Sequence, residues 1–405
     1  MSPWNPKAKS WISGRVNFFD TLTKQLNVLP KDNAHRIWMH CASLGEFEQG
    51  RPVLEKIKEQ FPSCTVIISF FSPSGYEVRK NYKGADIVCY LPADTKANAR
   101  QFVEKVNPTL VLWVRYEFWM HYLEAIHQRK IPLLLISGHL RNPGLFVNFY
   151  NAYRKRLFQC FTHFFVQTDA SATMFNHMGF DNVTVSGDTR FDRVIEIAEK
   201  FEPVPIVEQF CAGHKVVVAG STWTEDEEEL THYVRVNPST RFIIAPHETD
   251  KENIHDIQKE FPHSILYSTL ASGTAVMNED NKVNTLIIDN VGMLSRLYKY
   301  ADITYVGGGF GDDGLHNILE AAVYGKPVFF GPVYERHFEA VEMEECGGAI
   351  SIENALALEK ELDQLWNDPA ALQKSGDAAK AYVYKNAGAT NIILNYIYKN
   401  RLLTN

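Results

Sequence analysis

Six cysteines are spread through 405 residues, and no two form a C-x-x-C pair. A zinc ribbon or a disulfide framework needs closely spaced thiols, so neither is expected, and a reducing compartment fits. No apolar run reaches the ~20 residues of a membrane-spanning helix, and no signal-peptide pattern is present. Internal repeats and low-complexity tracts are missing too. Positive charge is in short supply: 41 Lys and Arg against 48 Asp and Glu leave a formal net charge of −7. That balance argues against general nucleic-acid binding, and no nucleic-acid partner is expected. What remains is a chain with 45% apolar residues, enough for substantial cores, and a length that suits two domains.

Ala301–Pro332 reads as strand, glycine loop, helix, strand. Ile303–Val306 is an apolar run of buried-strand type. Gly307, Gly308, Gly309, Gly311 and Gly314 follow, and without Cβ atoms their backbone can approach a ligand closely. A helix expected from about His316 would aim its N-terminal amides at that loop, a setting that attracts phosphate or carboxylate. Glu320, four residues on, would share a face with His316 and could accept from a sugar hydroxyl. A tight turn of any α/β protein is the competing reading.

Strand-type segments recur along the first half: Arg36–His40, Thr65–Phe70, Ile87–Tyr90, Leu110–Val114, Leu133–Ser137, Phe164–Gln167 and Val183–Ser186. Helical stretches such as Phe47–Gln60 alternate with them, which predicts a parallel, doubly wound sheet. Ligands gather at the carboxyl ends of such strands. After the proline-rich break Glu202–Pro205 a second set begins with Lys215–Ala219, Arg241–Ala245 and Thr285–Ile288. Thr224 and Glu227 suggest a capping box, so the acidic run Glu225–Glu229 reads as a helix first turn rather than a metal site. The C-terminal helices are expected over about Ala355–Asn367 and Asp377–Lys399. The domain boundary is placed at 200/201: residues 1–200 for an acceptor with a membrane-proximal N-terminal segment, 201–405 for a sugar nucleotide. The expected fold class is α/β, with two Rossmann-like doubly wound domains facing a central cleft.

The loops carry a further signal when read in order. His40-Cys-Ala-Ser-Leu-Gly-Glu46, Ser72-Pro-Ser-Gly75, Leu91-Pro-Ala-Asp94, Glu117-Phe-Trp119, Gly187-Asp-Thr-Arg-Phe-Asp192, Gly220-Ser-Thr222 and the Gly307–Pro332 block succeed one another. This series resembles the 3-deoxy-D-manno-octulosonic acid (Kdo) transferases of lipopolysaccharide synthesis, over nearly the whole chain from about Ser10. The resemblance implies a GT-B glycosyltransferase that moves Kdo with inversion from CMP-Kdo to a lipid A precursor (lipid IVA). It also implies that no cofactor or catalytic metal is needed and that the work is done at the cytosolic face of the inner membrane. Members commonly begin with an apolar anchor; none is present here, so anchoring falls to another device or to a segment removed. The chain departs from the family where Arg115-Tyr-Glu117 stands for Glu-Thr-Glu, where Ser137–Arg141 replaces Asn-Ala-Arg-Leu-Ser, and where Arg190 replaces a lysine, which keeps the cation but changes its geometry. A sugar-nucleotide 2-epimerase of the same fold is the alternative function.

Each candidate residue has a plainer reading beside the functional one. Glu46, at a helix N-terminus, is either the general base or a carboxylate satisfying the dipole, and the dipole should favour its ionised form. Glu117 is the second catalytic candidate or a structural carboxylate; Glu48 should point elsewhere. Donor contacts are assigned to Arg190, Ser221, Thr222, His247, Gly309, Asn317 and Glu320, with His247 alternatively a loop cap. Asp312 and Asp313 are adjacent and point apart, so no metal site is assigned. Arg154, Lys155 and Arg156 close an aromatic segment, Arg141–Phe158, that reads as a core-facing helix with a solvated basic end or as a surface for acceptor and anionic membrane. Trp4, Trp11, Phe18 and Phe19 with Lys7, Lys9 and Arg15 pose the same choice at the N-terminus.

Overall fold

A computed structural model describes residues 6–30, 35–115, 117–140, 155–274, 282–311 and 314–403. Two compact units result: Met1–Arg193 with Ala387–Asn405, and Val194–Asn386.

In the first unit the strands are β1 (Arg36–Cys41), β2 (Thr65–Phe70), β3 (Ile87–Tyr90), β4 (Leu110–Val114), β5 (Leu133–Gly138), β6 (His163–Val166) and β7 (Val183–Val185). Among the described residues they form one parallel sheet in the order β3-β2-β1-β4-β5-β6-β7. That is the Rossmann order extended by one strand, and the order reverses between β1 and β4. Strands β2 and β4 are buried at every position, as a parallel sheet covered on both faces requires. One face packs Trp38, Trp113, Phe102 and Tyr122; the other packs Met39, Phe47, Ile68 and Val114.

The second unit holds β8 (Val216–Thr222), β9 (Arg241–Pro246), β10 (Ser264–Leu266), β11 (Thr285–Ile287), β12 (Ile303–Val306), β13 (Val328–Phe330) and β14 (Ala349–Ser351). Their order is β10-β11-β9-β8-β12-β13-β14, again parallel, with the switch between β8 and β12. Each unit thus has one place where a crevice opens at strand carboxyl ends.

The observed division differs from the 200/201 boundary. The last helix, Ala389–Lys399, groups with the first unit because Ile393, Leu394 and Ile397, with Leu403 beyond them, bury in the core around Met39 and Phe47. Its start is held by Asp192, whose carboxylate accepts from Gly388 N and Thr390 N, both at 2.6 Å. Other local readings are corrected as well. Ser72–Gly75 is not a free turn: Ser72 caps the helix Pro73–Arg79 and accepts from Ser74 N. The C-terminal pair is three helices, Ala355–Asn367, Pro369–Lys385 and Ala389–Lys399.

At the N-terminus, helices Pro6–Ser13 and Phe18–Val28 lie on the first unit. Phe18 stacks on Phe102 and Arg15 sits over the Trp11 ring, donating to the carbonyls of Trp11, Phe71 and Leu91. Ile12 and Val16 remain exposed on the same segment. Among the described residues no helix is long and apolar enough to cross a membrane.

Candidate active site

The first unit gathers its chemistry at the β1/β4 switch. Glu46 lies in the first turn of helix Leu44–Gln60 and is only 8% exposed. Its carboxylate accepts from Ala42 N in the loop that leaves β1. Burial pushes the Glu46 carboxyl up to about 7; the negative charge of Glu117 adds to the rise, while the Ala42 amide and Arg115 oppose it. The expected ionising influence of the helix end is therefore overruled by desolvation. The result is a carboxyl group balanced near neutrality, as a general base needs.

Glu117 follows β4 through Arg115, whose φ of 65° puts it in the left-handed region. Such a conformation at a non-glycine residue is a strain that surrounding packing must impose. The Glu117 carboxylate accepts from Trp119 Nε1 at 2.9 Å and its carbonyl from Trp113 Nε1. His40, fully buried at the end of β1, brings Nε2 within 3.7 Å of Glu117 Oε2. Glu48, as expected, faces away; it pairs with Arg79 at 2.7 Å and Arg51 at 3.4 Å.

Arg190 also belongs to the first unit. Its Nε sits 2.9 Å from Asp188 Oδ2. Asp188 is 2% exposed and accepts as well from Gln49 and Gln167 side chains and from Arg190 N. A buried carboxylate so heavily hydrogen-bonded orients the guanidinium instead of leaving it a loose surface cation.

The other donor candidates collect at the β8/β12 switch of the second unit. Ser221, with φ 53°, and Thr222 end β8. Thr222 is buried and donates to Glu227 at 2.7 Å; burial raises that carboxyl to about 7. The helix that follows, Thr224–Val236, starts from Trp223, not Thr224. Asp226 is the residue that reaches back: it accepts from Trp223 N, Tyr305 OH and Gly308 N. This corrects the capping box and ties the two switch-point loops together.

The glycine loop is set tightly against its neighbours. A Cβ at Gly309 would lie 2.7 Å from Gly331 N, and Gly308 has φ +93°. The helix expected from His316 is a single turn, Leu319–Ala322. His316 N is spent on the Gly307 carbonyl, so residues 314–317 stay irregular and no long dipole points at the loop. Asn317 and Glu320 are nevertheless neighbours, Asn317 Nδ2 donating to Glu320 Oε1 at 3.2 Å. His247, exposed after β9, stacks against both Trp223 and His316 at centroid distances of 4.5 and 4.6 Å.

Arg154 and the aspartates 312 and 313 lie outside the described residues. Lys155 and Arg156 are exposed, with Arg156 paired to Glu124. Four polar partners escaped the sequence reading as site residues: His40, Asp188, Trp223 and His316. Each sits inside or beside a quoted motif, but its role depends on contacts with distant segments. Among the described residues no group of three His, Cys, Asp or Glu side chains is arranged to hold a metal ion.

Residues 15–193 match the family model described as 3-Deoxy-D-manno-octulosonic-acid transferase (kdotransferase). The chain is 26% identical over 384 residues to a bifunctional glycosyltransferase/methyltransferase of Fusobacterium nucleatum; the match covers 91% of this chain and 57% of that protein. It is 25% identical over 342 residues to a 3-deoxy-D-manno-octulosonic acid transferase of Chlamydia trachomatis, covering 82% of this chain and 78% of the relative. Among solved structures, UDP-GlcNAc 2-epimerase from Neisseria meningitidis superposes with a TM-score of 0.63 at 19% identity, over 90% of this chain and 100% of that one, a likeness of fold. The fold is of the GT-B kind, with a Rossmann-like sheet in each unit, and over residues 15–193 the chain is similar to the 3-deoxy-D-manno-octulosonic acid transferase family.

Proposed function

We propose that this chain transfers Kdo from CMP-Kdo to a hydroxyl of a lipid A precursor, with inversion at the anomeric carbon. The observation that carries the reading is Glu46, a buried carboxyl raised to about 7 at the switch point of the first sheet. As the acceptor oxygen bonds to the anomeric carbon, the bond from that carbon to the CMP phosphate breaks. The acceptor's proton passes to Glu46, and CMP leaves with the bonding pair. The donor is held on the second unit: Glu320, oriented by Asn317, accepts from the ribose hydroxyls, and the loop around Gly309 lets the nucleotide lie close to backbone. Arg190, set by Asp188, supplies positive charge for the leaving phosphate or the Kdo carboxylate. Work at the cytosolic face of an inner membrane follows from the lipid acceptor; exposed Ile12 and Val16 and the cations Lys155 and Arg156 fit contact with such a surface.

The test is incubation of the purified chain with radiolabelled CMP-Kdo and lipid IVA. Label in the lipid fraction with stoichiometric CMP release is expected. CMP-Kdo left intact in the presence of lipid IVA would overturn the reading.

A further inference from the structure

His40 is the last residue but one of β1 and lies against aromatic rings. It is completely buried, and the Trp113 ring lies 4.4 Å away. Its two nitrogens have different neighbours. Nδ1 is 2.9 Å from Ser69 Oγ, on the adjacent strand β2. Nε2 faces Glu117 Oε2 at 3.7 Å, beyond hydrogen-bond length, and has no hydrogen-bond partner. Burial holds the imidazole below its ordinary range, so the ring is neutral and carries one proton.

The placement of that proton follows from donors and acceptors. Trp38 Nε1 can only donate, and it donates to Ser69 Oγ at 2.8 Å. Ser69 is itself fully buried, so its own hydroxyl proton needs an acceptor. His40 Nδ1, 2.9 Å away, can accept it. The ring proton then sits on Nε2, the nitrogen opposite the Glu117 carboxylate. The reverse tautomer would set a bare lone pair against a carboxylate in a medium that screens poorly. The hydrogen bonds thus run one way, from Trp38 through Ser69 to His40, whose Nε2–H faces Glu117.

We propose that His40 is a positioning residue: its Nε2–H, fixed by Trp38 and Ser69, faces the Glu117 carboxylate at 3.7 Å and by electrostatic attraction keeps it beside Glu46. Trp119 Nε1 grips the same carboxylate oxygen from the other side. Glu117 is partly exposed, with a side-chain accessibility of 26%, so a group that anchors it decides whether its charge faces Glu46 or solvent. The charged and titratable groups that meet there are Glu117 and Arg115 after β4, Cys41 at the end of β1, Glu46 after it, and Glu48 on the same helix as Glu46.

The proposal rests on Glu46 and Glu117 acting together in the transfer, yet its test reads the protons directly. Long-range ¹H–¹⁵N spectra of the histidine rings in the full chain report the tautomer: His40 is expected with its proton on Nε2, and a proton on Nδ1 would overturn the proposal. Titration of ¹³C-carboxyl glutamate labels then compares two variants. His40→Gln keeps an N–H near the Nε2 position; His40→Leu removes it and stays apolar. Glu46 should titrate as in the wild type in His40→Gln, and lower by about half a unit to one unit in His40→Leu, where Glu117 is free to turn away. Equal midpoints in the two variants would refute the role. If His40→Leu does not fold, the tautomer in the wild-type chain decides. A chain that transfers no Kdo but shows the Nε2 proton and the His40→Leu shift would leave His40 in place and remove only the transfer reading.

Discussion

The indole N–H of Trp223 donates to Nε2 of His316 at 3.0 Å, and His247 stacks against both rings. Because indole nitrogen is only a donor, His316 Nε2 must accept, which places the imidazole proton on Nδ1. The bond links the loop after β8 to the glycine loop after β12, at the switch point of the second sheet. Trp223→Phe keeps a ring for His247 and deletes the donor. A net hydrogen bond contributes about 0.5–1.5 kcal/mol, so CMP affinity should fall roughly two- to tenfold. Calorimetry with CMP measures it, and an unchanged affinity would show that His316 needs no tether.

Asn317 and Glu320 form the second contact expected to reach the nucleotide. Glu320→Ala should weaken CMP binding by about 1–3 kcal/mol, the range for a lost hydrogen bond to a charged group. Asn317→Ala should be milder, and the double variant should lose less than the sum, because the first change already frees the second residue. Strict additivity in a calorimetric cycle would argue that the two side chains act apart.

Asp192 offers a stability prediction separate from chemistry. Its carboxylate accepts from two amides at the start of helix Ala389–Lys399. Asp192→Ala should destabilise the fold by about 0.5–2 kcal/mol, the usual worth of such a cap, and leave CMP affinity intact. Thermal melts and calorimetry give the two readouts; a variant as stable as the wild type would mean solvent replaces the cap without loss.

Those contacts also mark how far sequence alone reaches. The interior strands were legible because a parallel sheet covered on both faces demands unbroken apolar runs, and Thr65–Phe70, Leu110–Val114 and Ile303–Val306 were read to the residue. Strands β10 and β14 escaped: each is a three-residue edge strand, largely half-buried, too short to show a period. The glycine loop was legible but its helix was not, since His316 turns its amide to Gly307, a contact between residues nine apart with no sequence mark. Glu46 was legible as a candidate, whereas its charge state was not. Helix position predicts one direction and burial imposes the other, and burial depends on the packed first unit.

The basic pair Lys155 and Arg156 tests membrane contact. Each cation near an anionic surface contributes about 1 kcal/mol, screened by salt. Arg156 already pairs with Glu124, so Lys155 is expected to dominate. Replacing both by Glu, together with Arg154→Glu, should reduce binding to vesicles containing anionic lipid, most at low salt. Sedimentation that shows equal binding at every salt concentration would leave the N-terminal apolar residues Ile12 and Val16 as the attachment.

Glu46→Gln separates chemistry from stability most sharply. Losing a general base lowers turnover by about 10²–10⁴-fold. In the wild type the active form of Glu46 is the carboxylate, so the acid limb of turnover should have its midpoint near 7. Stability moves the opposite way. A carboxyl whose folded value is raised binds its proton more tightly in the folded chain than in the unfolded one. Its contribution is full below the ordinary glutamate range, falls as pH rises from there to about 7, and is gone above. Glutamine keeps an oxygen for the Ala42 amide and carries no charge to bury. At pH 8, then, Glu46→Gln should melt no lower than the wild type while turning over far more slowly, with CMP affinity unchanged. A variant that retains near wild-type turnover would move the base assignment to Glu117. One that melts well below the wild type at pH 8 would mean that the buried charge is compensated by partners Gln cannot satisfy.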